Sequence, residues 1–381
     1  MKNILIILTL LMFTFSPTFS QELIENPEKP KNKDAGRILQ LEEILRIQDD
    51  GGDFYFKSPR MIKVAPDGSI FIYDQEQLLR FDENGKFKYN YFLKGQGPGE
   101  IEYLSNYVVL KEKLIIHSRS PSKLIYFSLK GELQDEISLQ EMSTDLRLHF
   151  YKDGTFYFIK SEFPRTDKGS EVMDWDQRLV SLSGDMNTLI EHENFPIETL
   201  VVGGGAVSNM SVYTALVQNR YLFVSHTSEY MLHIFDIDSN KRIKSVTRKY
   251  KRVKRPKDQR SSAIIMEGKR FEPPGSELLA DVSQILEFKG DLWVQTSTKD
   301  KEGRSLYDVL DIEGVYLDSF YLNLNGTLVS TYGDYIFVRE RDEDDLISIV
   351  KYKVIDWSSI GKFTWNIDVP VRIFKGKDIY R

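Results

Sequence analysis

The sequence predicts an all-β protein, a six-bladed β-propeller whose four-stranded blades form a ring closed by an N-terminal strand. An apolar strand, a tight glycine turn and an aromatic-rich strand recur along the chain after residue 58. The second strands of these units begin near Ile70, Leu114, Phe156, Leu222, Leu292 and Ile336. Six units at spacings of roughly 40 to 70 residues indicate a propeller with insertions in two places.

The N-terminus has the pattern of an export signal over residues 1–20. Lys2 is followed by an apolar stretch over residues 4–15 and by small residues at 18–20. That stretch is shorter than the roughly 20 residues that span a membrane, although an uncleaved anchor is the alternative. We therefore expect an exported protein, whether periplasmic, at the cell surface or secreted, with no transmembrane segment in the mature chain. Residues 21–36 are polar and are predicted to be a flexible leader.

Composition excludes several classes of function. The chain has 381 residues, of which 41% are hydrophobic, and a net charge of −6 that gives no general attraction to nucleic acid. It has no cysteine, so thiol catalysis, cysteine-ligated metals and a lipid-modified N-terminal cysteine are excluded. The core alone must then stabilise the fold, which we expect to be monomeric.

The propeller is predicted over residues 37–355. The sixth unit has only three strands, whereas residues 37–45 form an unpaired strand before the first unit. Pairing this strand with the last one would complete the sixth blade and remove exposed sheet edges. Residues 161–177 and 253–278 are the two predicted insertions. Residues 356–381 form a C-terminal extension that we expect to add a strand or cover the surface.

The first unit also carries a family resemblance. Its runs PDGSIFIYD, LLRFDENGKF and GQGPGE occupy residues 66–74, 78–87 and 95–100. They resemble the six-bladed β-propellers of the NHL-like type, most closely the exported group common in Bacteroidetes. The later runs DLWVQTS and YDVLDIEGVYL fit the fifth blade of that group. The resemblance implies a fold and an extracytoplasmic location, and it implies no particular activity.

Connectivity predicts which face of the ring binds a ligand. Turns from first to second strand and from third to fourth strand are short, whereas both insertions join strands on the other face. The second strands end on that face in polar residues, which we predict to surround the channel mouth: Asp74, Ser118, Lys160, His226, Thr296 and Glu340. The alternative is that strand ends at a water-filled mouth are polar without binding, and that Asp74 caps its turn.

Two further motifs have structural and functional interpretations. Gly95, Gly97, Pro98, Gly99 and Glu100 are predicted to form a tight junction between blades one and two. Residues 241–260 contain 11 Lys or Arg residues. This segment is either a solvated outer strand or a patch for an anionic partner that uses Arg252, Lys254 and Arg255.

The function predicted from these features is an extracytoplasmic binding or interaction module for an unknown protein, peptide or glycan ligand. The alternative is a propeller hydrolase or lyase with a metal in the central channel, so the sequence leaves enzymatic activity open. No cofactor is evident. Calcium or another divalent metal would need carboxylate, carbonyl or His ligands, among which His117 and His226 lie on second strands.

Overall fold

The computed structural model of the chain describes residues 22–49, 51–139, 145–184, 186, 188–259 and 261–357. Every regular element in these ranges is a β-strand. Three strands precede the repeats: β1 (Glu22–Asn26), β2 (Arg37–Leu39) and β3 (Leu41–Gln48). Within the described ranges there is no helix of the length and apolarity that crossing a membrane requires.

Six antiparallel sheets follow one another along the chain and confirm the six-bladed propeller. Blade one contains β4 (Arg60–Val64), β5 (Ile70–Asp74), β6 (Gln77–Phe81) and β7 (Phe87–Asn90). Blade two contains β8 (Leu104–Val109), β9 (Lys113–Arg119), β10 (Ser122–Ser128) and β11 (Leu133–Ser138). Blade three contains β12 (Leu146–Lys152), β13 (Thr155–Ser161), β15 (Gln177–Leu182) and β16 (Leu189–Asn194), with β14 (Ser170–Trp175) inserted between its second and third strands.

The second half of the ring repeats this arrangement. Blade four contains β19 (Tyr213–Val217), β20 (Tyr221–Ser225), β21 (Met231–Asp236) and β22 (Lys241–Arg248). Blade five contains β25 (Val282–Phe288), β26 (Asp291–Lys299), β27 (Ser305–Leu310) and β28 (Tyr316–Leu322). Blade six contains β29 (Gly326–Tyr332), β30 (Tyr335–Arg341) and β31 (Ile347–Val354).

The first insertion shares a small sheet with the connection between blades three and four, and the second insertion forms a separate hairpin. Strand β14 lies in the first predicted insertion and pairs with β17 (Ile197–Val202), which in turn pairs with β18 (Gly205–Val207). The second insertion carries the hairpin of β23 (Ile264–Met266) and β24 (Lys269–Phe271).

The core lies between neighbouring blades, because each sheet is covered on both faces. All five residues of β5 are buried, which explains why this strand is apolar and aromatic up to its last residue, Asp74. Phe71 of blade one and Tyr107 and Ile116 of blade two belong to one buried cluster. Burial of each such side chain stabilises the fold by about 1.5–3 kcal/mol.

The first strand of each blade lies innermost and borders the central channel. Side chains of these strands bind the backbone of the next first strand around the ring. Asn106 Nδ2 donates to the Leu148 carbonyl at 2.6 Å, and Gln284 Nε2 donates to Leu328 at 3.2 Å. Ser330 Oγ donates to Ile62 at 3.0 Å, which joins blade six to blade one. The channel wall is therefore continuous across the point of closure.

The N-terminal strand closes the ring, but it differs from the prediction in its extent. Strand β3 pairs antiparallel with β31 and completes blade six. The predicted strand 37–45 is divided, because β2 pairs parallel with β28 at the outer edge of blade five. Leu39 is buried against blade five and Ile47 against blades six and one. The chain therefore crosses from one blade to the next at Gln40, whose N–H donates to Asp356 Oδ1.

The segment predicted as a flexible leader is tied to the propeller. Strand β1 pairs parallel with β22 as a fifth strand of blade four. Asn26 is buried, its Nδ2 donates to the Gly314 carbonyl at 2.8 Å, and its Oδ1 accepts the Tyr316 N–H at 2.8 Å. The polar composition of this segment predicted flexibility, because it does not indicate these contacts with blades four and five.

The predicted export signal lies outside the described residues, as does the predicted C-terminal extension beyond residue 357. Trp357, within the described part, packs against the aromatic core of blade five. Its ring centroid lies 5.1 Å from that of Trp293 and 5.7 Å from that of Phe320.

Candidate binding cleft at the channel mouth

The two faces of the ring differ in the length of their connections. We call the face on which first strands begin and second strands end the mouth face. On the opposite face, strands are joined by tight turns, two of which place Gly68 and Gly85 at φ values of 83° and 80°. Both insertions follow strands that end on the mouth face. The long connections that could contact a ligand therefore lie on this face.

A cleft of about 720 Å³ opens on the mouth face across blades one, two and three. It lies where the first strands β4, β8 and β12 begin and where β5 and β9 end. We call it the mouth cleft. Its lining residues are Arg60, Met61, Tyr73, Tyr103, Leu104, Ser105, Arg119, Ser120 and Arg147.

Three arginines give the mouth cleft a positive charge. The Arg60 guanidinium lies 5.2 Å from the centre of the Tyr73 ring, and Arg119 lies 3.7 Å from Asp145. Within the described residues, neither Arg60 nor Arg147 has a carboxylate at ion-pair distance. The pKa of Arg147 lies below its usual value because the surrounding protein desolvates it and because Arg119 adds a like charge. The opposite charge of an anionic ligand would offset both effects by favouring the charged form of Arg147.

A smaller cleft of about 230 Å³ shares Arg119 and Arg147 with the mouth cleft. The first insertion supplies its aromatic wall through Phe163 and Trp175, whose ring centroids are 5.7 Å apart. The Trp175 indole N–H has no acceptor among the described residues. The insertion therefore adds apolar area beside the arginines, with the unpartnered indole nitrogen itself buried.

The channel wall below the mouth is also positive. Lys63 Nζ donates to the Tyr107 carbonyl and lies 5.0 Å from the centre of that ring, and burial lowers the pKa of Lys63 to about 8. His149 Nδ1 forms a hydrogen bond with Thr214 Oγ1 at 2.9 Å. Burial, Arg147 and Lys63 together lower the pKa of His149 to about 3, so it is neutral at physiological pH.

The mouth cleft does not suit the divalent metal that the sequence left open. Guanidinium and phenol groups repel a cation or bind it poorly, whereas calcium requires a cage of oxygen ligands. The described ranges contain no group of three or more His, Asp or Glu side chains that could hold a metal ion.

The six predicted mouth residues lie at or near the ends of second strands, one strand outward from the channel wall. Asp74 accepts the N–H groups of Lys57 and Ser58 at 2.6 and 2.8 Å, and so caps the entry to blade one. Glu340 pairs with Arg46 at 3.0 Å and accepts the Tyr352 hydroxyl at 2.7 Å, which links blade six to the closing strand.

The other four predicted mouth residues are also buried or bonded to neighbouring residues of the fold. Thr296 donates to the Leu306 carbonyl at 3.0 Å, and Lys160 pairs with Glu191 at 3.0 Å. His226 bonds to the Pro196 carbonyl at 2.8 Å and to His233 at 3.1 Å. Ser118 is fully buried. A binding role for these six residues stays a prediction, and none of them lines the mouth cleft, to which the second strands contribute Tyr73 and Arg119 instead.

Sequence reasoning missed Arg60 and Arg147 because it used the second strands as its reference, and it selected Ser118 rather than Arg119, the last residue of β9. The signal was present: Arg60 begins β4, and Arg147 is the second residue of β12. A charged residue at the start of an apolar first strand lies at the mouth, since first strands border the channel.

In the basic loop after blade four, two of the three predicted patch residues form ion pairs or hydrogen bonds within the protein. Arg252 pairs with the buried carboxylate of Asp281 at 3.2 Å and donates to the Ser228 carbonyl at 2.9 Å. Arg255 donates to the Ser276 and Leu278 carbonyls at 2.7 and 3.3 Å. Lys254 is exposed. An anionic-partner patch formed by Arg252, Lys254 and Arg255 therefore stays a prediction in which Lys254 is the most available member.

The junction between blades one and two folds around carboxylates. Glu100 Oε2 accepts the Gly97 N–H at 2.8 Å, and Gly99 donates to Glu136 at 2.8 Å. A Cβ at Gly95 would lie 2.0 Å from Glu100 Oε2, which explains the glycine there. Pro98 is exposed between these glycines.

Comparisons with known proteins support the fold. A family model described as a 6-bladed beta-propeller, DUF5128, matches residues 50–200. A protein of Bacteroides fragilis NCTC 9343 designated as exported is similar in structure, with a TM-score of 0.55 and 14% identity over 87% of this chain and 99% of that one. A member of the DUF4221 family from Bacteroides vulgatus ATCC 8482 has a TM-score of 0.53 and 11% identity over 83% and 98% of the two chains. A search of curated proteins finds no match.

Proposed function

We propose that this chain is an exported binding module that holds a small anionic ligand in the mouth cleft. The observation that carries the proposal is the pair of guanidinium groups, Arg60 and Arg147, that line one cleft without a carboxylate partner in the described part of the chain. Guanidinium groups bind carboxylate or phosphate oxygens in a bidentate geometry, which gives orientation as well as charge.

The surroundings favour binding of a ligand with an apolar part. Tyr73 and Tyr103 line the mouth cleft, and Phe163 and Trp175 line its smaller extension. Aromatic walls with a few charged groups are typical of ligand sites, and the combined volume suits a molecule of drug or sugar-acid size. The positive channel wall at Lys63 would add long-range attraction for an anion.

The test is a ligand screen on the purified chain. Sugar acids, sugar phosphates, and di- and tricarboxylates are added singly, and the melting temperature is recorded. A ligand at about 100 times its Kd stabilises a fold by about 2.7 kcal/mol, which is readily detected. Calorimetry then compares the wild type with Arg147→Gln and with Lys130→Gln, a matched loss of one charge in a turn on the opposite face.

We expect a bound anion whose affinity falls about tenfold or more in Arg147→Gln and is unchanged in Lys130→Gln. Failure of every anion to bind, or equal affinity in wild type and Arg147→Gln, would contradict the proposal.

A further inference from the structure

A second cleft, of about 870 Å³, lies at the outer rim of the mouth face between blades four and five. We call it the rim cleft. One wall is the segment between β1 and β2, and the other is the end of β22 with the residues that follow it. The first wall is held in place: the N–H groups of Lys31, Asn32 and Gly36 donate to the carbonyls of Tyr316, Leu317 and Ser319 at 3.2, 2.9 and 2.7 Å.

Both walls carry exposed lysines. Lys29, Lys31 and Lys33 lie on the first wall, and Lys249 and Lys251 lie on the second. No carboxylate pairs with any of these five lysines in the described ranges, and Glu28 is the one carboxylate among the lining residues. Five positive charges thus line a single concave surface on a chain whose net charge is negative.

The floor of the rim cleft is neutral, aromatic and rich in hydroxyl groups. The Arg248 guanidinium lies 5.1 Å from the Tyr250 ring and 4.7 Å from the Tyr316 ring, and it pairs with buried Asp308 at 3.2 Å. The Tyr250 hydroxyl and Thr298 Oγ1 are 2.9 Å apart. The charge of Arg248 is therefore balanced within the fold, and the lysines alone supply the excess charge.

We propose that the rim cleft binds an acidic polysaccharide. The lysines are hydrated point charges on flexible stems, and such charges suit a chain that carries carboxylates at repeated intervals rather than one anion of fixed geometry. The half-buried Tyr250 and Tyr321 rings and the Thr298 hydroxyl line this floor and offer stacking and hydrogen bonds to sugar rings, whereas Tyr316 is buried beneath them. A flat lipid surface would reach the lysines but not this floor, so a concave site favours a thin polymer.

The probe is polygalacturonate, and binding to the purified chain is measured at low and high salt. The test variant is Lys29→Gln, Lys31→Gln, Lys33→Gln. The matched control is Lys86→Gln, Lys111→Gln, Lys130→Gln, which removes three exposed lysines from turns on the opposite face. We expect the test variant to bind about tenfold more weakly at low salt, an effect that screening removes at high salt, and the control to bind like the wild type.

Any of the following results would overturn the proposal: no binding of polygalacturonate by the wild type, equal loss in both triple variants, or tighter binding of polyglutamate or of phosphatidylglycerol vesicles than of polygalacturonate. The proposal is independent of the mouth cleft, which lies on other blades. Arg147→Gln should leave polygalacturonate binding unchanged, and a reduction in that variant would assign the polymer to the mouth cleft and contradict the rim site.

Discussion

His149 is the residue whose ionisation most directly reports on the channel interior. In the folded protein it stays neutral down to about pH 3, whereas in the unfolded chain it takes up a proton near its ordinary pKa of 6.5. Its contribution to stability is therefore complete above pH 6.5 and is lost as the pH falls toward 3. The positive charges of Arg147 and Lys63 are present throughout this range.

We predict that His149→Gln is less stable than the wild type at pH 7.5, because it disturbs the hydrogen bond to Thr214. The difference should narrow as the pH falls below 6.5, by at most about 1.4 kcal/mol per pH unit. Urea denaturation of both proteins between pH 4 and 8 measures it. A difference that stays constant across this range would show that His149 titrates alike in the folded and unfolded chains.

Individual site residues were the least predictable part of the molecule. The position of Asp74 at the end of β5 follows from the local pattern, but its use as a cap depends on the chain at Lys57 and Ser58 folding back over the strand end. The mouth cleft joins Arg60, Arg119 and Arg147 from three blades. No local pattern reveals that convergence, because it depends on which strand of each blade borders the channel.

At the scale of the element, the N-terminal strands show what pattern can and cannot predict. The unpaired strand and the incomplete sixth unit together predicted closure, and β3 fulfils that role. No pattern in the sequence indicated that residues 37–39 would pair with blade five. Both faces of a strand at an outer edge are partly solvated, so apolar periodicity does not identify its partner.

Removal of residues 1–48 should open the ring, because it removes the strand that covers the edge of β31. We expect aggregation or a large fall in melting temperature, since an uncovered strand edge recruits other chains. Calorimetry and light scattering measure these effects. The control is a chain that lacks residues 1–26 and so loses only β1, an added outer strand of blade four. Similar melting of the 1–48 deletion and the control would show that β3 does not secure the ring.

The basic loop yields a prediction about two neighbouring residues. Arg252→Glu places a carboxylate beside buried Asp281 and should lower the free energy of unfolding by about 1–3 kcal/mol. Lys254→Glu changes an exposed side chain and should alter it by no more than about 0.5 kcal/mol. Denaturant unfolding of the two variants tests this expectation. Equal effects would mean that the pair between Arg252 and Asp281 contributes nothing to stability.

At the scale of the whole molecule, the fold was predictable because each blade is specified locally. In blade one, the fully buried strand β5 lies between the turns at Gly68 and Gly85. Residues close together in the sequence therefore specify both the strand and its turns. Repetition of that unit six times then determines a ring. The face that carries the long connections follows from the alternation of strand direction, whereas the two clefts on it depend on contacts between blades and between the ring and residues 28–36.

Export is the property of the whole chain that the sequence predicts and the described residues do not address. We predict that the mature protein begins at or near Gln21 and is found outside the cytoplasm. N-terminal sequencing of the protein from fractionated cells tests this, and Met1 retained in a soluble cytoplasmic pool would contradict it. Because β1 begins at Glu22, cleavage there would leave every described strand intact. A chain expressed from Gln21 should therefore remain in the cytoplasm but fold and melt like the exported protein. This result would show that residues 1–20 direct export and do not contribute to the stability of the fold.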